Sequence, residues 1–562
     1  MKRLHLITLL LVAALAFAAC GGPKPEAVEE APPAEEAVEE APAEEVEEEA
    51  PEAEEAEEEA PAAETGPVEG GILHYAVAGV VQFDPPLIVD TSHVVAWQVF
   101  SYLYRTGDDG EVIPDLATSW DIEDDGTTII FHLREGVYYH DDNEVFPKGE
   151  SREVVASDVV YAIERSVNLE ENNTPFDFLN SYESVEALDD YTVALHLTSP
   201  NALLFTYGAG FPVYPQEAVE QLGEAWPHNP IGSGPFKMAS FTPDDSVVLE
   251  RNELYRIRPN LDGITFHIIP DEDAMMIALE AGEIQWTWLP AAQYASFADN
   301  SDYFIYQEIC PGSYQMQLDM NHAALQDKAV REALAHAIDG EAILQALMPG
   351  EYVPGLGVAG PGRAGFDEGL ADRYFTYDPA LTEELMTNAG WEKNTDGVWA
   401  KDGETLSLEM ELWNMDPMPL VGAAVLTQLQ EAGFDASLNT VEFGTWIGDY
   451  TGGEPKPVMF WSGFCEPAAM SSLYGAGGLG TLMGYENEEV FALVDASNAM
   501  MDPAERNETL LNVSDLIFAD YPAIPLGFTN TMIIASAKIH DYALQNSLQN
   551  VVTEYHNVWL DQ

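Results

Sequence analysis

The stretch from Leu116 to Val167 constrains the fold of this 562-residue chain more than any other. Trp120 and Ile122 alternate with polar neighbours up to Asp124-Asp125-Gly126, and an Asp-Gly pair supplies the positive φ that a tight turn needs. Beyond it Ile129, Phe131 and Leu133 alternate with Thr128, Ile130, His132 and Arg134. This mostly period-two pattern predicts an antiparallel hairpin. Val159, Ile163 and Val167 then fall on one helical stripe, with Ser157 placed as its N-cap.

The N-terminus adds a second constraint. Lys2 and Arg3 precede an apolar run, Leu6 to Phe17, that is too short to span a bilayer. Ala18-Ala19-Cys20-Gly21 follows. Small residues before a cysteine resemble a lipobox, in which Cys20 becomes the lipidated first residue once 1–19 are removed. Residues 21–66 hold 19 Glu and one Lys among Ala, Pro and Val. With no apolar stripe and strong self-repulsion, that segment is expected to stay extended as a tether.

Residues 67–562 carry 79 acidic against 18 basic side chains, a net of −61 with His neutral. That balance argues against nucleic-acid binding, which needs basic stripes. An apolar fraction of 46% over the whole chain still supports a large core, and 496 residues suggest two or three domains. Of the three cysteines, Cys20 belongs to the lipobox. The other two, Cys310 and Cys465, are expected to pair as a disulfide in an oxidising exterior. No CxxC or His-Cys cluster suggests a structural metal, and neither a metal nor a cofactor is expected.

In chain order, Gly70 to Val77 reads as a first strand, Phe83-Asp84-Pro85-Pro86 as a loop, and Val94 to Tyr104 as a helix. Tyr191, Val193, Leu195 and Leu197 alternate as part of a further strand pair. Pro230-Ile231-Gly232-Ser233-Gly234-Pro235-Phe236 lacks the Lys-Ser/Thr ending and following helix of a phosphate loop. Residues 310–535 read as α/β. Val330, Leu334, Ala337 and Ile338 form a helical stripe, and Asp378-Pro379 opens a helix that Gly390 ends. Leu406 to Leu412, a helix from about Pro419 to Ala432, and a strand to Val441 make a βαβ unit with a parallel pair. GLGVAGPGRAG at 355–365 matches a dinucleotide fingerprint in spacing, but no strand precedes it, and it reads as a loop.

The word order along the chain resembles the extracellular solute-binding proteins of the oligopeptide, dipeptide and nickel type (family 5), which feed ABC importers. The matching residues are Trp120, Asp125, Gly126, Phe131, Leu133, Arg134, Gly136, Val137, His140, Asp141, Asp158, Val159, Tyr161 and Arg165. The return at Pro230 to Phe236, and Asn252, Tyr255, Pro259, Asp262 and Ile264, match as well. The resemblance implies an α/β, two-lobed periplasmic-binding-protein fold of type II, of the large cluster with an extra subdomain, and a ligand cleft between the lobes. It implies a signal peptide at 1–19, a lipidated tether at 20–66, and a first lobe from 67–112 and 230–309. It implies an inserted subdomain at 113–229, a second lobe at 310–535, and a return to the first lobe at 536–562.

No GxSxG, HExxH or Cys-His set emerges, so no enzyme is expected; a secreted hydrolase is the distant alternative. A cleft needs aromatic walls and a few polar anchors. The candidates are Phe83, Trp413, Phe443, Trp446, Trp461, Phe464 and Glu466. Peptide-binding members carry Gly-Trp-Cys-Ala-Asp at 463–467, where the Asp takes the peptide's α-amino group. Gly463, Phe464 (as the aromatic) and Cys465 match. Pro467 stands in place of the Asp, with Glu466 one position earlier. The resemblance therefore implies a monomeric receptor outside the cytoplasmic membrane, in the periplasm or at the cell surface. It would pass a peptide or similar small solute to ABC permease transmembrane subunits. An oligosaccharide is the alternative ligand, suggested by the tryptophans.

Overall fold

A computed structural model describes residues 67–562 except 89–91, 107–111, 124–125, 168–180, 206–209, 290–293, 295, 415–416, 453–454, 464–467, 542–543, 546–551, 554–555 and 562. Side chains at 106, 307–311, 451, 461–463, 468, 531, 544–545 and 552–553 also lie outside the description. The Glu-rich segment and Cys20 precede its first residue.

The first half opens with β1 (Ile72–Val77) and α1 (Ser92–Val99). The Asp-Gly hairpin is β2 (Ala117–Glu123) and β3 (Thr128–Leu133), paired antiparallel with Trp120 opposite Phe131. Then come α2 (Ala156–Val167), β4 (Tyr182–Asp189) and β5 (Thr192–Leu197). These four strands form a separate sheet in the order β2-β3-β5-β4. One face of it, with Ile129, Phe131, Val193 and Leu195, is buried in the same apolar core as Leu73 and Phe266. Next are β6 (Phe236–Thr242), β7 (Ser246–Arg251), β8 (Gly263–Ile268), α3 (Glu272–Glu280) and β9 (Trp286–Leu289).

A 16-residue strand, β10 (Tyr303–Leu318), leads to the second half. There follow α4 (Lys328–His336), α5 (Pro379–Asn388), β11 (Ser407–Trp413), α6 (Met418–Glu431) and β12 (Asp435–Val441). The predicted βαβ unit is present, with β11 and β12 parallel and Ser407 beside Asp435. Asp378 caps α5 through the amides of Ala380 and Leu381, and Gly390 closes it at φ 83°. After α7 (Phe443–Thr451), β13 (Val458–Gly463) and α8 (Ala468–Tyr474), the chain returns along β14 (Ala523–Ser536).

One sheet runs through both halves in the order β6-β7-β8-β1-β9-β14-β10-β13-β11-β12. Strands β10 and β14 join its two ends. Near one end of the ladder Trp286 pairs with Ala535; near the other Gln315 pairs with both Trp461 and Pro525. Between them the register slips at Glu308/Gly312 and again at Tyr314/Gln315. Such slips bend a strand and raise its local twist. A second apolar core, including Met316, Leu334, Leu412 and Phe518, lies beyond the slips. The halves also meet at the tip of the four-stranded sheet, where a side chain at Gly126 would touch Met501. Val558, close to the C-terminus, is buried in the first core, and Asn260 donates to the Asn557 carbonyl at 2.9 Å.

Two local expectations are corrected. Helix α2 begins at Ala156, so Ser157 lies inside it. Asp158 does the capping by reaching back to the Val155 N–H at 3.0 Å. The Arg152 guanidinium fixes that carboxylate at 2.7 and 2.8 Å, which sets the start of the helix. The helix read over Val94 to Tyr104 ends at Val99. There the Gly234 N–H donates to the Val99 carbonyl at 2.9 Å, and Ser101-Tyr102 turns to pair with Val213 and Pro212.

That junction explains the glycines at 232 and 234. A Cβ at either would overlap the carbonyls of Gln98 or Val99. The buried His140 accepts from the Gly232 N–H at 3.4 Å and contacts the Gly234 carbonyl at 3.1 Å. Asn252 donates to the same carbonyl at 2.8 Å. Arg165 grips Asp84 with two bonds, at 2.5 and 2.6 Å, and so ties α2 to the loop after β1. Gly232→Ala is expected to destabilise the protein by about 1–3 kcal/mol through forced backbone movement. A melting temperature equal to the parent's would contradict this packing.

Candidate functional site

The second half of the sheet carries one purely apolar face and one mixed face. Leu408, Met410 and Leu412 enter the core under α6, so Glu409, Glu411 and Trp413 point to the opposite side. Register aligns Gln317, Met459, Glu411 and Asn439 in one row across β10, β13, β11 and β12. Two residues further on, at the C-terminal ends of the parallel strands, Gln315 pairs with Trp461 and Trp413 with Val441. In open α/β sheets ligands bind outside such strand ends.

Trp413, Phe443 and Trp446 come together here. The two indoles lie edge-on with centroids 4.7 Å apart, Phe443 stacks on Trp446 at 5.9 Å, and Tyr450 continues the cluster at 5.4 Å. Trp413 and Trp446 are 5% and 1% exposed, whereas Phe443 is 40% exposed. The indoles therefore serve the packing of α7 onto β11, and Phe443 alone of the three offers a free face. Phe83 is placed apart from them. Its ring is fully buried in the first core, edge-on to Phe241 at 5.2 Å. Of the remaining candidates, Phe464, Cys465, Glu466 and Cys20 lie outside the described residues. Trp461 and Cys310 are described by backbone only, in β13 and β10.

Two polar residues on this face were not singled out from the sequence. Gln315 is 1% exposed, and neither atom of its amide has a hydrogen-bond partner. Such a group costs about 1–3 kcal/mol unless something satisfies it. Glu411 is fully buried. One of its oxygens accepts from Asn439 at 2.8 Å and the other has no partner. Burial pushes its carboxyl above the usual range; Asn439 pulls it down, Asp449 pushes it up and Lys456 pulls it down. In sequence, Leu406 to Leu412 reads as a strand from its alternating apolar residues, and neither Glu411 nor Gln315 is assigned a role. On this face α7 packs Trp446 against Trp413, and the Tyr474 hydroxyl of α8 lies 3.2 Å from the Gln317 amide.

A separate cavity of about 210 Å³ lies in the first half between the 140–144 loop and Lys237. In its wall Lys237 pairs with Glu250 at 3.2 Å and with Asp141 at 3.7 Å. His140 is held neutral there, its pKa pushed down to about 4 by burial. Among the described residues, no three or more His, Cys, Asp or Glu are arranged to hold a metal ion.

The Glu411 shift has a signed consequence. A carboxyl whose folded pKa is raised contributes stability below its unfolded pKa and loses it as pH rises through the folded value. Glu411→Gln removes that loss. The variant is therefore expected to melt above the parent near pH 7.5, with the difference shrinking towards pH 4. An equal melting temperature at both pH values would contradict the burial of an ionisable Glu411.

Comparison with known proteins supplies the family. The chain is 29% identical over 386 residues to the dipeptide-binding protein of Escherichia coli K12, covering 63% of this chain and 68% of that one. It is 24% identical over 493 residues to heme-binding protein A of Haemophilus influenzae, covering 82% and 87%. Among solved structures, the oligopeptide-binding protein AppA of Bacillus subtilis, in complex with a nonapeptide, superposes with a TM-score of 0.69 at 22% identity. That match covers 88% of this chain and all of AppA. The expected two-lobed α/β fold is thus the observed one. Residues 111–480 match the model of the bacterial extracellular solute-binding proteins, family 5 (middle region), and the chain belongs to that family.

Proposed function

We propose that this protein is the solute-capturing component of an ABC importer, held to the membrane by a lipid on Cys20. It takes up a peptide or similar small solute and hands it to the permease. The observation that carries this reading is the family match over 111–480, on a fold whose halves share one bent two-strand ladder. The names of the relatives support peptides first: a dipeptide for one and a nonapeptide for another. An oligosaccharide has less support, since Trp413 and Trp446 are packed against each other rather than presented flat.

The ligand site lies at the strand ends of the second lobe, with Phe443 and Gln315 on one wall beside the end of β13. The unpartnered amide of Gln315 supports this placement, because a solute's polar groups would satisfy it. Glu466 is the anchor for a ligand ammonium. A Cys310–Cys465 disulfide would brace the same wall. The Ser313–Gly463 pair, three residues from one cysteine and two from the other, supports that link. The closed loop would restrict the unfolded chain by roughly 5 kcal/mol at most.

Mass spectrometry of gently purified membrane-derived protein tests these statements together. Native spectra are expected to carry one bound solute per chain. Denatured, nonreduced spectra are expected to show acylated Cys20 as the first residue and two hydrogens fewer at Cys310 and Cys465. Solute-free native protein, an unacylated N-terminus or two free thiols would each remove the corresponding part. With the released solute in hand, Glu466→Gln is expected to weaken binding of a cationic ligand about ten- to a hundred-fold, the cost of one charge-assisted hydrogen bond. Unchanged affinity would remove Glu466 from the site.

A further inference from the structure

The first lobe holds a pair of histidines that the solute-binding reading leaves unused. His74 on β1 and His267 on β8 sit on adjacent parallel strands, two positions out of register, since His74 lies beside Thr265 and Ala76 beside His267. Their neighbours Leu73, Tyr75, Phe266 and Ile268 turn into the core, so both imidazoles project from the opposite face, half-buried. The Nδ1 of His74 lies 2.9 Å from the Nε2 of His267, and the rings stack at 5.2 Å. The His74 backbone N–H donates to the Gln285 side chain at 2.7 Å, which fixes the strand beneath one ring.

We propose that His74 and His267 form a binding site for a borderline divalent cation of the zinc, copper or nickel type, with water completing its coordination. The two facing nitrogens are already near the required separation. Zn–N bonds of about 2.0–2.1 Å at a tetrahedral ion place two nitrogens roughly 3.3 Å apart, so the contact opens by about 0.4 Å. One of the nitrogens now carries the shared proton. On binding, that proton moves to the other nitrogen of its own ring, and both facing lone pairs turn to the metal, with no net change in protons. Imidazole suits these ions, whereas calcium and magnesium prefer oxygen. Two surroundings favour a bound cation. Burial, and for His74 the neighbouring His267, lowers both pKa values and keeps the rings neutral near pH 7. The charged groups acting on His267, Asp245 in the turn before β7 and Glu283 in the turn after α3, are both acidic.

Titration calorimetry of tag-free, chelator-treated full-length protein with Zn²⁺, at pH 7.5 in 0.5 M NaCl to screen the acidic surface, tests this. A site is expected that millimolar Ca²⁺ does not displace. His74→Gln and His267→Gln should each weaken it at least tenfold, while His132→Gln, an exposed histidine paired with Asp121, leaves it unchanged. Glutamine can still make a hydrogen bond to the remaining ring, so both variants are expected to fold, which their melting curves check. Copper EPR of the parent protein decides independently of any variant, since two imidazoles give splitting from two nitrogens. No Zn²⁺ binding, equal binding by both glutamine variants, or an all-oxygen copper spectrum would each overturn the proposal.

Discussion

The pairing of β10 with β14 is the interaction on which the rest of the molecule depends. The chain passes between its two apolar cores twice, and both passages lie in this ladder. Each strand begins in one core and ends in the other. A sheet that stayed in perfect register through both would be stiff. Here two register slips fall in a few residues, between Glu308 and Gln315, at the boundary between the cores. Bending is therefore concentrated where it disturbs least apolar packing. A further contact between the halves lies away from the ladder, near Gly126 and Met501.

The first lobe shows how a family's sequence signature becomes architecture. Several of its recognisable residues make fixed contacts within the protein. Arg165 holds Asp84, Arg152 holds Asp158 and Glu217, and His140 and Asn252 hold the backbone of Gly232 to Gly234. Asp115 is fully buried between Arg105 and Arg256; burial pushes its carboxyl up, but the two guanidiniums and the Tyr102 N–H hold it below the usual range. Removing one partner from such a set leaves a buried charge exposed to nothing, which costs far more than a surface pair. The packing requires these residue types at these positions.

Legibility followed physical cause. The Asp-Gly hairpin, the βαβ unit and the Asp378 cap were readable because each depends on residues a few positions apart. The helix over 94–104 was misread because its end is set by Gly232 and Gly234, over 130 residues away. The site was harder for a related reason. Trp413 and Trp446 have the composition of a binding wall, but the tertiary fold decides whether an indole faces a cleft or another indole. Gln315 and Glu411 belong to no motif, and only the tertiary fold makes both of them buried polar groups. Their role comes from burial, and burial on the second face of a sheet leaves little trace in period-two patterning.

The central claim is that the ladder is a hinge and that a solute shifts the balance between open and closed lobes. Single-molecule energy transfer between dyes at Leu188 and Leu420, exposed positions on opposite lobes, tests it most directly. Protein stripped of solute by mild unfolding and refolding is predicted to show a longer-distance population. Returning the released solute is predicted to move that population to the shorter distance with a saturable dependence on concentration. A single distance, the same with and without solute, would contradict the account.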